Sequence, residues 1–247
     1  MKFQYISDVH LEKGNRVTLQ RHAPNLILAG DIGDPAEEVY VTFIEEASHL
    51  FDHVFLVCGN HEYYSSTRCM SSTESMIRDI VGSFENVHFL QNEVFHFPNS
   101  SVSVFGATLW TAIQYQNADI IRCMVSDYRC IRVNEAEMFS VSTNNELHER
   151  TKQAFVNLRC EAPDRKWVVV CHHMPSKDLV SERHRGSLLG DAYASDVDCF
   201  RDDDVVAVVY GHTHDKSQIG KYYCNPYGYP SENKEADLAA CFDVSDK

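Results

Sequence analysis

Five short clusters in this chain hold the kinds of side chain that bind metal ions. They are Asp8-Val9-His10, Gly30-Asp31, Gly59-Asn60-His61-Glu62, His172-His173 and Gly211-His212-Thr213-His214. Imidazole, carboxylate and amide oxygen together suit borderline and hard ions such as Mn, Fe, Zn or Co. Taken singly, Gly-Asn-His-Glu reads equally well as a polar turn after a strand. Each cluster, however, directly follows an apolar run, and repetition of that arrangement argues for one shared site. Two ions a few ångströms apart need a bridging carboxylate. Asp31 is the best candidate, because it leaves an inner strand with Gly30 before it. Gly30, Gly59 and Gly211 each precede ligands, where a missing side chain permits sharp turns and close approach. No cysteine stands at a suitable ligand position and no Cys-x-x-Cys occurs, so a structural zinc ribbon is unsupported.

Five apolar runs must carry these clusters: residues 2–7, 26–29, 54–58, 167–171 and 205–210. Short apolar or alternating runs of this kind read as buried or half-buried strands. Strands in one sheet bring distant residues to a common edge, where open α/β sheets place their active sites. Further strands are expected at 87–90, 93–97 and 102–108, and through Ile219 and 221–224. Helices are expected from Pro35, with Asp34 as the cap, and over 70–84 and 146–159. The first would bury Val39, Phe43, Ile44, Ala47, Leu50 and Phe51. The last would bury Leu147, Ala154, Phe155 and Leu158. Residues 110–145 are the least regular and read as a partly helical insertion over the active-site edge. Residues 176–191 read as a loop, 225–230 as turn-rich and 231–236 as a mobile loop. With no internal repeat or low-complexity linker, residues 1–247 read as one α/β domain.

Composition narrows the partners. The chain is 44% hydrophobic and 23% charged, as in ordinary soluble globular proteins. Its net charge of −14 works against a nucleic-acid polymer or an anionic membrane, since both need a basic surface. A small phosphoester stays compatible if metal ions supply local positive charge. Met1-Lys2-Phe3 leads straight into a strand, with no signal-peptide or transmembrane run. Nine scattered cysteines then suggest reduced thiols and a cytoplasmic location, with Cys58, Cys171 and Cys224 as core packing at strand ends. Of thirteen histidines, those outside the clusters read as surface or structural.

Asp8-x-His10, Gly30-Asp31-x-x-Asp34, Gly59-Asn60-His61-Glu62, His172 and Gly211-His212-x-His214 resemble the five signature blocks of calcineurin-like metallophosphoesterases, in order. The resemblance spans residues 8–214. It implies a four-layer αββα sandwich, two mixed β-sheets flanked by helices. It implies one divalent or trivalent ion (Mn, Fe or Zn) on Asp8, His10, Asp31 and His214, and a second on Asp31, Asn60, His172 and His212. Hydrolysis would follow in-line attack on phosphorus by a hydroxide between the metals, with His61 as the catalytic residue protonating the leaving oxygen. Glu62 or Asp34 could orient His61 or a ligand; each also reads as a turn or cap carboxylate. His173 could face substrate or pack.

Departures from the better-known branches bear on substrate. Protein Ser/Thr phosphatases of this superfamily carry Arg before Gly-Asn-His-Glu and Asp-Arg-Gly after the second block. Cys58 and Asp34-Pro35 stand there instead. Cyclic-nucleotide phosphodiesterases usually have Asp where Glu62 stands. The segments Leu109-Trp110-Thr111, Asp127-Tyr128-Arg129 and Asn225-Pro226-x-Gly228-Tyr229-Pro230 are similar to those of small bacterial-type metallophosphoesterases. The expected activity is a phosphodiesterase on small nucleotide-like esters. A phosphomonoesterase, including a protein phosphatase, and a non-catalytic scaffold are the alternatives, the last opposed by retention of all seven ligands and His61. Arg122, Arg129, Arg132, Arg183, His184 and Arg185 are available to grip substrate. Tyr115, Tyr128 or Tyr193 could stack on a base or aryl group.

Overall fold

A computed structural model describes residues 1–230, Glu232 and 236–246; most of the expected 231–236 loop lies outside the described residues. In chain order the strands are β1 (Lys2–Ile6), β2 (Asn25–Ala29), β3 (His53–Val57), β4 (Val87–Phe89), β5 (Glu93–His96) and β6 (Val102–Ala107). They continue with β7 (Lys166–Cys171), β8 (Val205–Tyr210), β9 (Ser217–Ile219), β10 (Tyr222–Cys224) and β11 (Cys241–Asp243). The α-helices are α1 (Glu38–Leu50), α2 (Met70–Val81), α3 (Ala118–Met124), α4 (Asp127–Cys130) and α5 (Val141–Glu161).

Two mixed sheets form. One has the order β11-β1-β2-β3-β4, the other β5-β6-β7-β8-β10-β9. Strands β1 to β4 run parallel, as do β6, β7, β8 and β10, while β11, β5 and β9 are antiparallel edges. Strand periodicity sorts the apolar side chains into three layers. Leu26 and Leu28 of β2 face α1 and α2, against Phe43, Ile44 and Ile77. Ile27 and Ala29 face the second sheet, against Val104, Val168, Val170 and Val209. Behind that sheet, Trp167, Val169 and Val208 pack on Phe155 of α5. Helix, sheet, sheet and helix thus enclose three apolar seams, and fully burying each large side chain contributes roughly 1.5–3 kcal/mol.

Local readings need two corrections. Helix α1 begins at Glu38, so Asp34 and Pro35 do not open it. Instead Asp34 accepts from the Ala36 N–H and from Arg68 (2.5 Å) in a turn ahead of the helix. Helix α5 starts at Val141, earlier than its apolar pattern suggests, because the Ser140 hydroxyl caps the Thr143 N–H at 3.1 Å. Its first turns bury polar groups: Asn144 donates to the Thr111 carbonyl (2.6 Å), and His148 lies against the Leu109 carbonyl (3.2 Å). The 110–145 stretch holds α3 and α4, and residues 124–127 reach the cleft described below. No helix among the described residues is long and apolar enough to cross a membrane.

Candidate metal centre

Parallel strands deliver their carboxyl ends to one rim, and each of the five clusters begins there. To turn side chains inward, the backbone adopts a costly conformation. Asp8 (φ 52°), His10 (φ 50°), Asp31 (φ 54°), His212 (φ 70°) and His214 (φ 51°) are all left-handed. Non-glycine residues in that region cost about 1 kcal/mol or more each and cluster at functional sites. Gly59 is demanded by close approach: a Cβ there would sit 2.1 Å from Asp31 Oδ1. A Cβ on Gly30 (φ 83°) would meet His172 Nδ1 and the Gly59 nitrogen, both at 2.6 Å.

All seven residues named as ligand candidates converge. Asp8, His10 and His214 form one half; Asp31, His172 and His212 form the other, with Asn60 beside them. Asp31 Oδ2 lies 3.7 Å from His10 Nε2 and 3.4 Å from His172 Nε2, so it stands between the halves. The outward nitrogens are spoken for. His10 Nδ1 faces Glu12 (3.0 Å), His214 Nδ1 faces Glu232 (2.7 Å), and His172 Nδ1 faces the Ala29 carbonyl (2.9 Å). Those acceptors hold protons on Nδ1 and turn the Nε2 atoms inward. His10 Nε2 then meets His214 Nε2 at 3.1 Å, and His172 Nε2 meets Asn60 Oδ1 at 3.1 Å. Asn60 spends its amide protons on Asp127 (2.9 Å) and Tyr64 (3.1 Å), so its oxygen faces inward too. Lone pairs facing lone pairs call for cations, and this nitrogen and oxygen donor set fits metal ions.

Electrostatics agree. Burial opposes ionisation of Asp31, yet the surrounding histidines hold its carboxyl well below the usual range. Burial likewise opposes charge on His172 and His214, but Asp31 lifts the first to about 10 and Asp8 the second to about 9. The carboxylates therefore favour positive charge at both nitrogens, as a proton or a metal ion.

His61 lies beside this cluster. Its backbone N–H donates to Asp31 Oδ1 (2.8 Å), and its ring stacks on Tyr64 at 4.3 Å. Of the two residues that could orient it or a ligand, neither reaches its ring, and Glu62 holds the backbone of the candidate ligand Asp31. Asp34 is paired with Arg68. Glu62 is buried and accepts from the backbone N–H groups of Gly59 (2.7 Å), Ile32 (2.7 Å) and Asp31 (3.1 Å). Burial and Asp31 push Glu62 up to about 8, against those three donors, which favour its ionised form. The residue that holds His61 is Glu12, 3.1 Å from Nδ1. Sequence reasoning passed over Glu12, although it continues the alternation Asp8-x-His10-x-Glu12. Burial works against ionised Glu12, but hydrogen bonds from His10 and His61 hold it down to about 2. Burial also opposes a charged His61, and Asp31 and Glu12 more than offset it, so its pKa is raised. Glu232, Asp127, Tyr64 and Tyr229 were missed as supports as well; Tyr229 places its hydroxyl 3.3 Å from His61 Nε2. His173 packs: it is buried against Trp110 and His212, and burial together with His172 pushes it down to about 3.

A cleft of about 1050 Å³ opens over the centre. Of the cations proposed to grip substrate, Arg183 and His184 line it, and Arg183 is ion-paired with Asp215. Arg122 pairs with Asp119, while Arg129 and Arg132 donate to the Cys123 and Glu135 carbonyls. Tyr193 lines the cleft with its ring 4.9 Å from His212; Tyr128 is buried on Phe139, and Tyr115 stands in solvent.

Known proteins are similar to this chain. "Uncharacterized protein L509" of Acanthamoeba polyphaga mimivirus is 26% identical over 274 residues, covering 98% of this chain and 96% of that protein. The phosphopantetheinyl hydrolase PptH of Mycobacterium tuberculosis has a similar fold, with a TM-score of 0.71 at 16% identity over 94% of this chain and 90% of that one. Residues 1–216, which carry all five clusters, match the calcineurin-like phosphoesterase family; the chain belongs to that family and is a hydrolase of phosphoester bonds.

Proposed function

We propose that this phosphoesterase is a phosphodiesterase for small nucleotide-like esters, working with two Mn, Fe or Zn ions. Asp8, His10, Asp31 and His214 would hold one ion, and Asp31, Asn60, His172 and His212 the other. Such ions, when bound, supply positive charge that polarises the phosphoryl group and acidifies water. The chain's own residues do the rest. Asp31 separates the two halves at a fixed spacing. Asp127 and Tyr64 keep the Asn60 oxygen turned inward. His61 carries a proton on Nε2, on the cleft side, for the leaving oxygen. Tyr64 and Tyr193 line the cleft and would supply aromatic surface to a base. The nine free cysteines fit a cytoplasmic setting.

The observation that carries the diester reading is the state of Arg183. It is the one arginine lining the cleft among the described residues, beside Lys13 and Lys216, and it is ion-paired with Asp215. A dianionic monoester would gain from an unpaired guanidinium at this point, whereas a monoanionic diester needs none. The test compares bis(p-nitrophenyl) phosphate with p-nitrophenyl phosphate after metal stripping and Mn²⁺ reconstitution. At least a tenfold higher kcat/KM on the diester is expected. Preference for the monoester would replace this reading with a phosphomonoesterase.

A further inference from the structure

Resting on the reading of His61 as the proton donor, we infer that Glu12 is its positioning residue, and that the carboxylate oxygen of Glu12 that also meets the candidate ligand His10 sets the geometry of the His61 ring. Glu12 lies in the short 3-10 turn Leu11–Lys13. The left-handed backbone at His10 (φ 50°) swings that turn back over the site. A single oxygen, Oε1, accepts from both His10 Nδ1 (3.0 Å) and His61 Nδ1 (3.1 Å). The two rings stand edge to face with centroids 4.5 Å apart. The other oxygen, Oε2, is buried with no hydrogen-bond partner among the described residues. Glu12 therefore has no competing attachment to turn it away.

The other carboxylates nearby are committed. Asp34 serves Arg68, Glu62 serves three backbone N–H groups, and Asp31 Oδ1 accepts the His61 backbone N–H rather than its ring. His61 lines the cleft, and with Nδ1 held by Glu12 its Nε2, next to the Tyr229 hydroxyl, is the ring nitrogen left for the leaving group. The step follows directly. As a water oxygen bonds to phosphorus and gives up a proton to solvent, the bond from phosphorus to the leaving oxygen breaks and its electron pair stays on that oxygen. The Nε2 proton of the imidazolium moves to the same oxygen, leaving neutral His61 with Nδ1–H still on Glu12. Removing the carboxylate frees the ring to rotate or to exchange its tautomer, which withdraws the proton from the leaving group.

The experiment uses Glu12→Ala in the full chain at saturating Mn²⁺, with bound metal measured alongside, and Glu12→Gln, whose amide oxygen still accepts from Nδ1, as the variant expected to recover most of the loss. Rates are read on two leaving groups, p-nitrophenol and a simple alkanol, each as diester and monoester. A p-nitrophenolate departs with little help from an acid, whereas an alkoxide needs the proton. Expected is a loss of about 100-fold or more on the alkyl ester and less than about threefold on the nitrophenyl ester. His61→Ala should show the same split, and the double variant should fall no further than His61→Ala alone. Equal losses on both leaving groups, or a double variant whose loss is the product of the two, would overturn the inference. A readout without turnover accompanies it: ¹⁵N-histidine NMR of the Zn²⁺-loaded protein should show His10 and His61 protonated on Nδ1, with the His61 signal changed in Glu12→Ala. A wild-type His61 lacking the Nδ1 proton would also overturn it. Failure of the diester reading would register separately, as monoester preference with the leaving-group split intact.

Discussion

At the scale of single residues, Glu62 turns from a motif letter into a structural tie. Its carboxylate gathers N–H groups from both ligand-bearing turns, at Gly59 and at Asp31-Ile32. Glu62→Ala leaves three buried donors unpaired, and each costs about 1 kcal/mol or more. Urea unfolding should show a loss of about 3–5 kcal/mol; a loss below 1 kcal/mol would mean the turns hold themselves. The seven ligand candidates and His61 were legible in the sequence because five clusters of such residues each follow an apolar run. Glu12, Asp127 and Glu232 were not legible. Each acts by reaching another residue's side chain, and reach depends on backbone angles that no letter displays. His10 is the clearest instance, since its positive φ is what brings Glu12 back to it.

At the scale of elements, the long buried strands announced themselves by composition, whereas two features stayed hidden. Strand β11 has only three residues, Cys241–Asp243, and is a strand because β1 offers it an edge. Helix α5 starts early and buries Asn144, His148 and Thr151, polar residues that an apolar pattern discounts. The β3–β4 pair yields a pH prediction away from the metal centre. His53 and His88 lie with ring nitrogens 3.1 Å apart, beside Phe55 and Phe95. Burial, then His53, pushes His88 down to about 4, and burial lowers His53 as well. Both are neutral in the fold, while the unfolded chain takes up protons below about 6.5. Their stabilisation is complete above that pH and is lost as pH falls toward 4. Solvent screening of these half-buried rings keeps the loss to about 1 kcal/mol. Replacing His88 by Phe should flatten the fall in urea midpoint between pH 7 and pH 4.5; an unchanged fall would place the acid sensitivity elsewhere.

At the scale of the whole molecule, three apolar seams hold a rim on which carboxylates and bare imidazole nitrogens converge. Metal binding should therefore register as global stability. Ions at a hundred times their Kd contribute about 2.7 kcal/mol. For a chain of this size that is roughly 5–10 °C in Tm. Calorimetry with chelator and then with restored Mn²⁺ should show the drop and its recovery, and an unchanged Tm would mean the rim carries its own strain without ions. The same layout has a bearing on biosynthesis. The ligand candidates run from Asp8 to His214, and Glu232 steadies the last of them. A partly made chain on the ribosome therefore offers no such site, however much of the first sheet it has assembled. What it does offer is thiols, including Cys58, Cys171 and Cys224, which the finished fold buries. Soft ions have thiols to meet on the nascent chain, whereas the assembled set of seven ligand candidates exists only on the completed one. Discrimination between them is thus a matter of timing during synthesis as well as of affinity.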